Sequence, residues 1–150
     1  MKTLFRLILL PFLCVGWMAS SGMAEPETIG VVQTVSGQSS LIRGERPIAV
    51  HSGLKLQEND ILETGADGAL GIVLRDDTLL SIGPDSRFVL DRFAFSPAEE
   101  KLGFAARLSR GTVMVVSGQI AKMAPESVQI ETPRALLGIR GTRFAAKVNE

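Results

Sequence analysis

His51 is the sole histidine of the sequence and Cys14 the sole cysteine. Side-chain nucleophilic catalysis needs a nucleophile, a base and a group that orients the base. His51 sits in "IAVHSGLK", between two short strand-like runs, where a surface turn histidine is the ordinary expectation. No G-x-S-x-G stretch occurs. The carboxylates Asp76, Asp77, Asp85 and Asp91 lie close together in sequence, and a pair of them is the next option for acid/base work. However, "RDDT" and "GPDS" are turn sequences, in which Asp accepts hydrogen bonds from nearby backbone N–H groups. The turn reading is preferred. No Cys or His spacing suits zinc. "GADGALGIV", from Gly65, is similar to one repeat of a calcium β-roll, but such sites need tandem copies to close the ion's shell. A hairpin turn at "ADG" is the simpler expectation. No catalytic, cofactor or metal residue is assigned, and the chain is expected not to be an enzyme.

One other stretch carries reactive groups in a pattern. "TPRALLGIRGTRF", from Thr132 to Phe144, places Arg140 between Gly138 and Gly141, ahead of Thr142. Thr132-Pro133 predicts an extended entry, because proline restricts the residue before it. Ala135, Leu137 and Ile139 then share one face. The two glycines permit a bulge or a close backbone approach. Arg140 either points opposite Ile139 or, at a bulge, turns inward. An inward guanidinium needs a carboxylate or several carbonyls. Asp60, Asp76 and Asp77 are the candidate partners. A structural clamp is preferred here over ligand contact.

The elements that hold these residues read as strands. Leu70, Ile72 and Leu74 alternate with other residues, as do Phe88 and Leu90. The series Leu102, Phe104, Ala106 and Leu108 does the same, followed by Val113 with Val115 and Val128 with Ile130. A period of two is the strand signature. Glycine, proline, Asn and Asp clusters interrupt these runs at short intervals, as between strands of a sandwich, barrel or roll. No window has a helical stripe. "SPAEEK", from Ser96, allows one helical turn with Pro97 in the first position. "GVVQTVSGQ" from Gly30 and "GTVMVVSGQ" from Gly111 are alike, either as an internal repeat of a coiled roll or by chance. The expected fold is all-β: one domain over residues 28–148, a solenoid-like β-roll or a sandwich of short strands.

The N-terminus reads as an export signal, with Lys2 and Arg6 ahead of an apolar run of 12 residues, Leu7–Met18. That run is shorter than the roughly 20 residues of a spanning helix. "GMA", Gly22–Ala24, predicts cleavage after Ala24, so residues 1–24 are assigned as a signal peptide. Cys14 lies inside the apolar run, behind Pro11 and Phe12, and does not fit a lipoprotein site. The remaining 126 residues carry 14 basic and 16 acidic side chains, scattered along the chain. That balance gives no electrostatic case for nucleic acid. They also contain no Trp or Tyr, which weakens the case for the aromatic platforms of glycan and single-strand binders.

These blocks resemble the FecR domain family, named for a periplasmic regulator of ferric citrate uptake. The resemblance runs through "GVVQTVSGQ", "LQENDILETGADGALGIVLRDDTLLSIGPDSRFVLDRF" and "LSRGTVMVVSG" to "SVQIETPRALLGIRGTRF". Its most specific part is Thr132-Pro133 followed by Gly138, Ile139, Arg140, Gly141 and Thr142. It implies an extracytoplasmic all-β module. In sensor members the module works between an outer-membrane transporter and a cytoplasmic sigma factor. This chain departs from that plan in starting with a cleavable signal in place of an anti-sigma region. The expectation is a periplasmic or otherwise exported domain with no membrane anchor after cleavage, acting by contact with a periplasmic or outer-membrane protein as a sensor or accessory subunit. A cell-envelope ligand- or glycan-binding module is the alternative.

Overall fold

The computed structural model describes residues 22–149. The expected signal segment lies outside them except for Gly22–Ala24, which are exposed and without regular structure. The described residues form twelve strands: β1 (Gly30–Ser36), β2 (Ser39–Arg43), β3 (Arg46–Ala49), β4 (Lys55–Leu56), β5 (Ile61–Thr64), β6 (Ala69–Leu74), β7 (Leu79–Ile82), β8 (Arg87–Ser96), β9 (Lys101–Val116), β10 (Val128–Glu131), β11 (Leu136–Gly138) and β12 (Arg143–Val148). One short helix, α1 (Gln119–Met123), and two 3₁₀ turns, Pro97–Glu99 and Pro125–Ser127, complete the order. The turn at Pro97 is the one expected from "SPAEEK". Helix α1 was not expected: it spans five residues and buries only Ile120, too little to leave a periodic signal.

The strands build one curled, mostly antiparallel sheet with two wings that share β9. The front wing has the order β4-β1-β6-β7-β9-β12 and uses the end of β9 from Gly111 on. The back wing has the order β3-β2-β5-β8-β9-β10-β11 and uses β9 up to Arg110. The pairing of β10 with β9 is parallel. Parallel neighbours need a crossover of roughly a dozen residues, supplied here by α1 and the Pro125–Ser127 turn.

Alternation decides which side chains face inward. Leu70, Ile72, Leu74, Phe88, Leu90, Phe104, Leu108, Val113, Val115 and Ile130 are all buried in one hydrophobic cluster drawn from both wings. Phe93 and Phe104 meet edge to face within it. Fully burying side chains of this size is worth about 1.5–3 kcal/mol each.

The chain passes between wings at four adjacent corners: Ser36–Gln38, Thr64–Gly68, Gly83–Ser86 and Ser109–Thr112. They are hydrogen-bonded to one another. Gly65 N–H donates to Gln38 O at 2.9 Å, Asp85 N–H to Gly65 O at 3.0 Å and Gly83 N–H to Thr112 O at 2.9 Å. Gly111 has φ +90°, and a Cβ there would lie 2.0 Å from Ser86 Oγ. The corner glycine is therefore required both by conformation and by space.

One expectation is corrected, and one choice left open by the sequence is decided. Asp67-Gly68 turns the chain but does not make a hairpin, because β5 pairs with β2 and β8 while β6 pairs with β1 and β7. Asp67 accepts the Gln38 N–H at 3.1 Å and so ties two corners together. The paired "SGQ" blocks are not a structural repeat. Three successive antiparallel pairings separate β1 from β9, so the two strands run in opposite directions. Gly37 turns with φ +62°, whereas Gly118 has no positive φ and caps α1.

Candidate functional site

The carboxylates singled out in the sequence have separate tasks. Asp60 is fully buried and accepts Arg43 Nε at 2.8 Å, Arg43 Nη2 at 2.7 Å and the Gln57 N–H at 2.8 Å. Hydrogen bonding to Asp60, joined by its charge and opposed by partial burial, holds the Arg43 guanidinium above the ordinary arginine pKa. Asp76 is equally buried at the β6–β7 turn. Its carboxylate accepts Thr78 N–H at 3.1 Å, Thr78 Oγ1–H at 2.8 Å and Ile120 N–H at 3.1 Å. Its backbone carbonyl accepts the Gln119 N–H at 2.7 Å, so this distant turn caps α1. A Cβ on Gly118 would lie 2.3 Å from that carbonyl, which explains the glycine. Asp77 accepts from Gln119 Nε2, and Asp91 is paired with Arg107. The Asp91 bonds raise the Arg107 pKa in the same direction as Arg43's. Asp85 turns the β7–β8 corner with φ +50°. His51 is exposed in the loop after β3. Among the described residues, no three His, Asp or Glu side chains converge on a point that would hold a metal ion.

The expected clamp by Arg140 is not formed. Asp60 is filled by Arg43, and Asp76 by Thr78 and α1. Arg140 is exposed, without an ion pair or hydrogen bond among the described residues. The local backbone gives the reason. Ile139 is buried in the core and acts as the anchor, so its neighbour must point outward. Gly141 then reverses the chain with φ +110°. Its carbonyl accepts Ser117 Oγ–H at 2.8 Å, and the Thr142 carbonyl accepts Ser117 N–H at 2.9 Å. Thr132 and Pro133 occupy the β10–β11 turn. The Thr132 N–H donates to Ala135 O at 2.8 Å, and the Ala135 N–H to Thr132 Oγ1 at 3.0 Å. Ala135 is exposed rather than sharing the inner face with Leu137 and Ile139, because it belongs to this turn.

The motif therefore borders solvent along β11. Among the described residues this three-residue strand pairs only with β10, and its other side is open. An open groove of about 810 Å³ runs beside it, lined by Pro125, Glu126, Gln129, Leu136, Gly138 and Arg140 among others. Leu136 is 62% exposed. Gly138 has an ordinary φ, and a Cβ on it would meet nothing within 4 Å, so nothing inside the chain requires glycine there. The remaining sheet edges are guarded in the usual ways. Strand β3 carries Arg46 and Pro47, β4 is two residues long and carries Lys55, and β12 carries Arg143 and Lys147. Strand β11, "LLG", is also short, at three residues, but has no charge and no proline. Sequence reasoning missed Leu136. The available signal was the Leu136-Leu137 doublet, since adjacent strand residues cannot both face inward.

The described residues form a curled β module with an open edge at β11 beside a groove of mixed polar and apolar lining. The particular family follows from comparison. Residues 60–150 match the model of the FecR protein family, which is more than half of the sequence. The chain belongs to the FecR family. The matched region begins at Asp60 and includes every residue of the Thr132–Thr142 motif, while the "GVVQTVSGQ" block precedes it. Membership implies, for the family as a whole, a sensory or regulatory role in envelope signalling. Neither curated proteins nor solved structures give a match.

Proposed function

We propose that this chain is an exported, non-catalytic envelope protein that holds a second protein along β11, as a sensor or accessory subunit of signalling. The single observation that carries this reading is the unguarded β11 edge, with Gly138 clear of side chains and Arg140 unpaired beside the groove. An extended segment of the partner adds to β11 through its free backbone groups. The missing Cβ at Gly138 lets the incoming backbone approach closely. Arg140 meets a carboxylate or carbonyls of that segment with its planar fork. The same reading takes the curled sheet as a roll, whose successive coils cross at the four stacked corners.

The test uses a photo-crosslinking residue at position 136 and, as control, at exposed position 45, in cells separated by osmotic shock. The expected result is one protein adduct at position 136, absent at 45, lost with Arg140→Glu and found in the shock fluid. Equal adducts at both positions would sink the edge reading. Recovery of the uncleaved protein only from the cytoplasm would sink export. Retention on peptidoglycan without a protein adduct favours the glycan-binding alternative.

A further inference from the structure

We propose that the segment received by β11 is acidic at both ends and apolar in its middle, and that the arginines beside the strand keep a second copy of this chain off the same edge. This inference rests on the reading of β11 as a strand-accepting edge and adds the chemistry of what it accepts. Its first ground is where the charge lies. Residues 22–131 carry 15 acidic and 10 basic side chains, whereas residues 132–149 carry four basic ones, Arg134, Arg140, Arg143 and Lys147, and no acidic one. All four are exposed. Among the described residues, Arg43, Arg75, Arg87, Lys101 and Arg107 each hold a carboxylate, and none of these four does. The near-neutral balance of the whole chain thus conceals an unanswered positive stretch around β11.

The second ground is how that stretch brackets the strand. Arg134 stands in the turn before Leu136, and Arg140 follows Ile139 just past the end of the strand at Gly138. Arg134 shares a small cleft with Lys147, and no carboxylate lines it. Arg140 lines the groove beside β11. Two carboxylates lie nearby. Glu131 stands beside Arg107 in the register of β10 with β9. Glu126 lines the groove without an ion pair to Arg140, and Arg134, Arg143 and Lys147 leave the surroundings of β11 net positive. An incoming segment therefore gains from carboxylates at its ends. The exposed Leu136 favours an apolar residue in its middle.

The third ground sets aside the usual occupant of an open edge, which is the same edge of a second copy. A two-fold copy added antiparallel about Leu137 pairs all three strand residues. It also brings Arg134 of each copy to the level of Arg140 of the other, so like charges meet at both ends. A separate chain with carboxylates at those two levels meets opposite charges instead. The pattern discriminates by repulsion as well as by attraction. Because the charges flank the strand and are not within it, the backbone groups of β11 stay free for that partner.

The probe is a fluorescein-labelled nine-residue peptide with alternating valine and threonine in its middle and two glutamates at each end. Its twin has lysine in place of glutamate. A third peptide is the glutamate form with its middle backbone amides N-methylated, which removes strand pairing. Anisotropy is measured with the purified chain. The glutamate peptide is expected to bind at least about tenfold more tightly than the lysine twin, and N-methylation to weaken it at least about tenfold. Arg134→Glu combined with Arg140→Glu reverses the preference between the twins while the melting temperature stays that of the parent. Should that variant misfold, raising sodium chloride from about 0.05 M to about 0.5 M with the parent narrows the tenfold difference. Loss on N-methylation with equal binding of the twins leaves the edge reading standing and overturns this inference. Binding indifferent to N-methylation, or no binding of any peptide, overturns both. A parent dimer in sedimentation that Leu136→Asp dissolves overturns the exclusion of a second copy. Tighter binding to phosphatidylglycerol vesicles than to the glutamate peptide, lost in the double variant, assigns the cations to lipid and overturns the acidic segment.

Discussion

Arg43→Met and Arg140→Met remove the same side chain from two places and should differ sharply. Arg43 contributes two of the three hydrogen bonds that hold the fully buried Asp60 carboxylate. Its loss leaves that charge with the Gln57 N–H alone. Breaking a buried pair costs about 3–5 kcal/mol. The Arg43 side chain is 30% exposed, so solvent already screens part of the pair, and about 2–3 kcal/mol is the fairer figure. At about 4 °C per kcal/mol for a domain of this size, the melting temperature falls by about 8–12 °C. Arg140 has no partner to strand, and surface substitutions of that kind stay within about 0.5 kcal/mol. Its variant should melt within about 2 °C of the parent. Thermal and urea unfolding followed by far-ultraviolet dichroism read both. An Arg140→Met variant that melts as low as Arg43→Met would refute the assignment of Arg140 to the surface and restore the clamp.

Asp76→Ala strands two buried backbone N–H groups and the Thr78 hydroxyl, at about 1–3 kcal/mol per group; hydrogen exchange at Ile120 should accelerate well beyond exchange at Leu80. Gly111→Ala combines a positive φ with a Cβ 2.0 Å from Ser86 Oγ, so it should cost more than the roughly 1 kcal/mol of a simple glycine effect. Normal expression and melting of that variant would contradict the packing of the corners. Gly138→Val should leave the melting temperature within about 2 °C, since nothing lies within 4 Å of the new Cβ, while reducing the crosslink at position 136.

The alternation of apolar residues was enough to read the core, because strand geometry ties sequence parity to face. Leu70, Ile72, Leu74, Val113 and Val115 all fall inward as their spacing requires. Parity says nothing about which strand lies beside which. "ADG" therefore read as a hairpin turn, although its two strands belong to different wings. The same gap explains the misplaced clamp. Several arginines and several aspartates were available, and only the register of β2 beside β5 puts Arg43 at Asp60. Helix α1 was illegible for another reason. Its first backbone N–H groups donate to the remote Asp76–Thr78 turn, and although Gln119, Ala121, Lys122 and Met123 are good helix formers, five positions are too few for propensity or periodicity to mark a helix.

One short segment ties the open β11 edge to the front wing. Gly138 closes β11, Ile139 enters the core, Arg140 lines the groove, and Arg143 opens β12. Gly141 and Thr142 between them are fixed to Ser117, the residue that follows β9. Strand β9 is shared by both wings, so this segment spans from the back-wing edge to the front-wing face over the strand common to both. Here the buried Ile139 and the two Ser117 bonds leave it little freedom, so moving β11 toward an incoming strand pulls against Ile139 and against the start of β12. Gly138 to Thr142, within the Thr132–Thr142 stretch, thus join the back-wing edge to front-wing strand β12.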